Sequence, residues 1–278
     1  MLLTPKEYEN IKGLEKVWSE GYSLHELLNL NNKDLKSRLD KVLGTTITES
    51  DFNSFVHLLL QEGINDPGIF KAVFMAGGPG SGKSFIAGKT GLTSMGLVLI
   101  NSDDVFEAQL AKAEVPTTPE GIYSDKGQAL RGGAKALTKK KQDLAINGRL
   151  GLLIDGTGKN VEKIKRQKAG LERLGYDTMM IFVNTTEDTS LERNRGRVRT
   201  LPDKEVSAMW KNVQENIGAF QRVFKGRIVI VDNSKGKDAA KETMGAYKTA
   251  VAWIKKGPSR RSAKSWVKQE KKRRGIKA

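Results

Sequence analysis

The 278-residue chain contains no cysteine. Disulfide scaffolds, thiolate metal centres and cysteine nucleophiles are therefore excluded, and the composition suits a reducing, cytoplasmic setting. Histidine is nearly absent too: only His25 and His57 occur. Neither has a partner at metal-ligand spacing, so both read as packing or surface residues, and a Ser-His-Asp triad is disfavoured. No apolar run approaches the roughly 18 residues of a membrane-spanning helix. The opening MLLTPKEYENIK lacks the apolar stretch of a secretory signal. Acidic residues are in deficit, with 32 Asp+Glu against 48 Lys+Arg and a formal charge of +16. That excess points to a polyanion: nucleic acid, a nucleotide or an anionic membrane surface.

What is present is enough to fold. The chain is 38% hydrophobic and 29% charged, the balance of an ordinary globular protein with one or two domains. Half of the positive excess sits in the last 22 residues, where Arg260, Arg261, Lys264, Lys268, Lys271, Lys272, Arg273, Arg274 and Lys277 face only Glu270. Beyond Trp266, Val267 and Ile276 this segment has little apolar material, so 257–278 reads as a mobile basic tail. Such a tail either only aids solubility or tethers nucleic acid. It shows no clear apolar face for a membrane.

Residues 1–66 read as helical. Thr4-Pro5-Lys6-Glu7 has the pattern of a capping box, and Ile11, Leu14, Val17 and Trp18 recur at helical spacing. From Lys71 the pattern changes. Five short apolar runs, at 72–75, 97–100, 152–154, 179–183 and 228–231, suit strands buried on both faces. Between them lie helix candidates. One carries Leu130, Leu137 and Leu144 and ends at Gly148. A second carries Ile164, Leu171 and Leu174 and ends at Gly175. A third runs from Asp203 through Val206, Trp210, Val213, Ile217 and Phe220. The glycines suit left-handed caps. The alternation predicts a three-layer α/β domain over 67–256 around a central parallel five-stranded sheet.

Gly77-Gly78-Pro79-Gly80-Ser81-Gly82-Lys83-Ser84 matches G-x-x-x-x-G-K-[ST] between the first strand and a helix. The glycines let backbone N–H groups turn towards phosphate oxygens, and the helix N-terminus adds its positive dipole. Lys83 then serves the β- and γ-phosphates, and the Ser84 hydroxyl a Mg²⁺ ion. ATP and Mg²⁺ are the expected cofactors.

Three further features bear on the chemistry. Asn101-Ser102-Asp103-Asp104 follows the second strand, at the edge where α/β sheets bind ligands. A carboxylate there either orients an acceptor hydroxyl or caps a helix, with Asp104 the better cap. Asp155-Gly156-Thr157 ends the third strand. Gly156 stands where motor ATPases place a water-activating acid, and Asp155 either serves Mg²⁺ or makes a turn. The D-x-D-G-T phosphatase motif fails, because the nucleophile's position is Leu153. Finally, four arginines between Arg193 and Arg199 precede Pro202. They form either a lid whose guanidinium groups fork onto the transferring phosphoryl, with Arg195 and Arg197 the central candidates, or a solvated basic face.

Together, Gly77–Ser84, Asn101–Asp104, Asp155–Thr157 and Arg193–Pro202 resemble the bacteriophage polynucleotide kinases and the related zeta toxins, over about residues 71–232. The resemblance implies a P-loop kinase fold, with Asp103 as general base, Lys83 and Ser84 at the phosphates, and a lid arginine. The phage kinases carry an arginine three residues after the base, where this chain has Phe106. The expected activity is phosphoryl transfer from ATP to a hydroxyl on nucleic acid, either a 5′-hydroxyl or a hydroxymethylated base. Two alternatives stay open: a zeta-toxin-like kinase of a nucleotide sugar or other small molecule, and a nucleotide-gated nucleic-acid-binding protein without phosphoryl transfer.

Overall fold

The computed structural model describes residues 64, 66–196, 200–273 and 275. The helical segment expected over 1–66 therefore lies outside the described residues, apart from Ile64 and Asp66.

All five apolar runs are strands: β1 (Lys71–Ala76), β2 (Leu97–Ile100), β3 (Gly151–Asp155), β4 (Asp177–Asn184) and β5 (Ile228–Asp232). They form one all-parallel sheet in the order β2-β3-β1-β4-β5. β1 lies at the centre and is buried along its whole length, which is why its sequence is apolar without alternation. Strand geometry sends alternate side chains to opposite faces. Ala72, Phe74 and Ala76 join one core with Phe182, Phe220 and Phe224, while Val73 and Met75 join another with Ile86, Ile181 and Ala250.

The helices are α1 (Lys83–Thr90), α2 (Ser102–Lys112), α3 (Pro119–Tyr123), α4 (Asp125–Asn147), α5 (Val161–Arg173), α6 (Glu187–Arg195), α7 (Asp203–Glu215), α8 (Ile217–Phe224), α9 (Ala239–Ile254) and α10 (Arg261–Arg273). α9 and α1 cover the second core, and α5, α8 and α10 the first. The third helix candidate is divided at Asn216 into α7 and α8. α4 ends differently from expectation. Gly148 keeps φ −76°, and Arg149 takes the left-handed position at φ 58°. Its guanidinium then lies 5.9 Å from the Phe70 ring, a contact that accompanies the left-handed backbone. Gly175, at φ 101°, is left-handed as expected.

The tail is the main correction. Residues 257–273 do not trail into solvent; 261–273 form α10, docked on the sheet domain. Ala263 is fully buried, and the Trp266 ring meets Phe70 edge-on at 5.4 Å. The Ser259 N–H donates to Asp177 at 2.7 Å, and Arg260 Nε donates to the Tyr176 carbonyl at 3.0 Å. Ala263, Trp266 and Val267 stand at i, i+3 and i+4, so three apolar residues make one stripe on a helix. No helix among the described residues is long and apolar enough to cross a membrane.

Candidate active site

The phosphate loop follows β1, and its shape is fixed by close packing from behind. Gly80 and Gly82 have φ 70° and 88°, a region L-side chains rarely adopt. A Cβ at Gly80 would lie 2.5 Å from the Ser190 carbonyl oxygen, and one at Gly82 would lie 2.3 Å from Asn233 Nδ2. The same neighbours hold the loop by hydrogen bonds. Ser190 Oγ donates to the Pro79 carbonyl, and Asn233 Nδ2 donates to the Ser81 carbonyl at 2.7 Å. Ser190 lies on α6 and Asn233 just after β5, so two elements distant in sequence shape the cradle. Neither residue is visible in the motif; Asn233 has the signal of directly following β5, while Ser190, inside α6, has none.

Lys83 opens α1, and its ammonium donates to the Gly77 carbonyl at 2.8 Å and the Gly78 carbonyl at 3.3 Å. Ser84 lines a cavity of about 230 Å³ together with the polar side chains of Asn101, Asp104 and Asp155 and the apolar ones of Ala87, Leu99 and Leu153.

The carboxylates gather at the C-terminal ends of β2 and β3. Asn101, not Asp104, caps α2: its Oδ1 accepts from the Asp103 N–H at 2.9 Å. This overturns the capping role expected of Asp104. Asn101 Nδ2 donates to Asp104 at 2.8 Å and to Asp155 Oδ2 at 3.3 Å, and so bridges the two carboxylates. Burial pushes the Asp155 carboxyl up to about 6, with Lys83 opposing and the charges of Asp104 and Asp103 adding to the rise. Lys83, Asp103, Asp104 and Asp155 therefore share one electrostatic neighbourhood. Partial loss of water raises Asp104 as well, reinforced by Glu107 and Asp103. Behind it, on α4, burial pushes the Lys141 ammonium down to about 8 against the pull of Asp104.

Two buried polar atoms here make no hydrogen bond, Ser81 Oγ and Asp155 Oδ1. Such orphans are rare in folded proteins and mark places where a ligand, ion or water completes the set. A triphosphate fits the loop. Asp155 and the Ser84 hydroxyl, which line the same cavity, are oxygen donors suited to a hard cation that keeps several waters. Among the described residues no group of three His, Cys, Asp or Glu could hold a metal by itself.

The structure separates the arginines that follow β4. Arg193 Nη1 donates to the Gly80 carbonyl at 3.3 Å, which places its guanidinium on the phosphate loop. Arg195 turns the other way and pairs with Asp203, its Nε lying 3.1 Å from Oδ2. Arg197 lies outside the described residues. Phe106 is buried among Leu110, Ile122 and Ala134, with the Arg131 guanidinium 4.9 Å over its ring, so that position belongs to the packing of α2 on α4.

Solved structures similar in fold include a putative kinase from Chloroflexus aurantiacus at 13% identity, with a TM-score of 0.47, covering 68% of this chain and 98% of that one. Another comes from the PezAT toxin–antitoxin system of Streptococcus pneumoniae at 16% identity, TM-score 0.46, covering 75% and 98%. Shikimate kinase from Aquifex aeolicus matches at 15% identity, TM-score 0.39, covering 65% and 96%. No curated protein matches. The Zeta toxin family profile matches residues 61–239, a span from before β1 to the start of α9 that takes in every site residue above. With well over half its length matched, the chain belongs to the Zeta toxin family.

Proposed function

We propose that this protein is an ATP-dependent kinase that phosphorylates a hydroxyl group. The observation that carries the reading is the gathering of Lys83, Asp103, Asp104 and Asp155 beside a glycine-shaped phosphate cradle at one edge of the sheet. Loop N–H groups and the α1 N-terminus hold the phosphates, and Lys83 exchanges the Gly77 and Gly78 carbonyls for phosphate oxygens. Asp103, exposed at the first turn of α2, accepts the proton of the acceptor hydroxyl. The hydroxyl oxygen bonds the γ-phosphorus as the bridging bond breaks, and ADP leaves. Arg193 stabilises the charge on the moving phosphoryl. Ser84 and Asp155 would hold Mg²⁺, which supplies charge neutralisation between the phosphates.

For the acceptor we favour a hydroxyl on nucleic acid, a 5′-hydroxyl or a hydroxymethylated base, because of the Asn101–Asp104 step and the basic surface. A second reading, a nucleotide sugar or other small molecule, is supported by the Zeta toxin family match. Labelled ATP offered to a panel of 5′-hydroxyl DNA, hydroxymethylated DNA and nucleotide sugars decides between them. Label on either DNA supports the first reading; label confined to a sugar nucleotide overturns it in favour of the second. Asp103→Asn should lower kcat by about 10²- to 10⁴-fold while ATP still binds. ATP consumption left intact by that change would remove Asp103 from the mechanism.

A further inference from the structure

The phosphate loop stands at the C-terminal edge of the sheet. α10 docks at the opposite edge, where Phe70 leads into β1 and Tyr176 leads into β4. With six residues in β1 and about 3.3 Å per residue, the two ends lie about 20 Å apart.

This second edge is strongly basic, and the acids nearest α10 are used up internally. Asp177 binds Lys71 at 3.0 Å and the Ser259 N–H and hydroxyl. Glu172 takes Lys168 at 2.8 Å and Arg260 at 3.1 Å, and Glu270 takes Arg273. On α10, Arg261, Lys264, Lys268 and Lys272 are exposed, and none has an acidic partner among the described residues. Their spacing of three, four and four residues puts them on one helical face, opposite Ala263, Trp266 and Glu270. At 1.5 Å per residue the stripe runs about 17 Å. Exposed Arg227 and Lys256 add charge at the same edge; both lie near enough to Lys71 for their charge to disfavour its protonation, after burial itself.

The geometry points to a binding surface for the phosphate backbone of double-stranded nucleic acid, separate from the nucleotide site. The stripe is rigid because the helix is anchored by Trp266 and by the bonds of Ser259 and Arg260. Its one aromatic residue, Trp266, is packed on Phe70, so the face offers charge without a stacking platform. That suits a duplex backbone better than unstacked single strands. The apolar side of α10 is spent on the protein core, which leaves none to insert into a bilayer. This surface goes beyond the kinase reading and stands whichever acceptor the site takes. Binding here is sequence-independent, because phosphate contacts position a protein without reading bases.

The test is fluorescence anisotropy of the full chain with a labelled DNA duplex about two helical turns long, over a salt series. Each lysine on a phosphate contributes about 0.9 to the slope of log K against log salt. Lys264→Gln/Lys268→Gln/Lys272→Gln should therefore lower that slope by about 3 and weaken low-salt binding by at least about tenfold. Circular dichroism checks that the variant is folded, and ATP consumption in the absence of nucleic acid should be unchanged. Arg227→Gln/Lys256→Gln, on other elements, should give a smaller loss in the same direction. Lys83→Ala should abolish ATP use and leave duplex binding intact, which separates failure of this surface from failure of the kinase reading. Duplex binding unchanged in both basic-surface variants overturns the proposal. So does binding to phosphatidylserine vesicles without binding to the duplex.

Discussion

The two edges of the sheet are built on opposite electrostatic plans. At the N-terminal edge, the Lys71–Asp177 pair is almost wholly buried and fully partnered. Asp177 accepts from Lys71, from the Ser259 N–H and from the Ser259 hydroxyl, while the Lys71 ammonium lies 4.5 Å over the Trp253 ring. At the C-terminal edge, two buried polar atoms of the site are left without partners, Ser81 Oγ and Asp155 Oδ1, against one at the N-terminal edge, Arg149 Nε beside the Phe70 ring. A satisfied buried network positions structure; an unsatisfied one reserves hydrogen bonds for something that arrives later. The contrast explains how one small sheet carries both an anchor and a reaction site.

The comparison breaks most visibly at Lys71. Lys71→Met leaves Asp177 charged in the interior and should cost about 3–5 kcal/mol of stability, read by urea unfolding. Lys71→Met/Asp177→Leu should recover much of the loss, since the pair can be exchanged for apolar packing. A double variant no better than the single one would show that Ser259, not the pair, is the anchor.

At the other edge the sign reverses. The folded Asp155 carboxyl, at about 6, lies above its ordinary 3.8. The folded state therefore holds a proton that the unfolded state releases, and stability falls as pH rises from about 4 through about 6. Asp155→Asn should stabilise the ligand-free protein at pH 8 in EDTA by on the order of 2 kcal/mol. The gain should vanish near pH 4. Equal stability at both pH values would place Asp155 in a wetter setting than its burial indicates.

The smallest contrast lies within the lid. Arg193→Ala should lower kcat by about tenfold to a hundredfold, whereas Arg195→Ala, which loses only an exposed pair with Asp203, should stay within about twofold. Single-turnover transfer from labelled ATP measures both. A larger loss at Arg195 would mean that closure breaks its pair with Asp203 and swings it onto the phosphates.

Much of the kinase half was legible because it depends on local sequence. The five buried runs become strands wherever both faces are covered, and the glycine pattern of 77–84 specifies its own turn. The misreadings share a cause in contacts distant along the chain. Arg193 and Arg195 are two residues apart, hence about 200° apart on a helix, and only the packing of Ser190 on Pro79 sets which one faces the loop. The tail's stripe of Ala263, Trp266 and Val267 was visible but narrow. Its receptor is Phe70, nearly the whole domain away in sequence, and the start of β4, 82 to 84 residues before Ser259 and Arg260. Asn101 outranked Asp104 as the cap because it stands at the strand's end with extended backbone, φ −137° and ψ 120°, the geometry a cap requires.

The phosphate loop and α6 are tied twice, through Ser190 to Pro79 and through Arg193 to Gly80. A loop fastened to a neighbouring helix cannot change shape privately. Whatever free energy a bound nucleotide spends on moving α6, a partner that holds α6 in place returns to the nucleotide in equal measure, because coupling between binding events is reciprocal. If a nucleotide moves this nine-residue helix, a ligand that held its outer face in place would change the grip of the cradle.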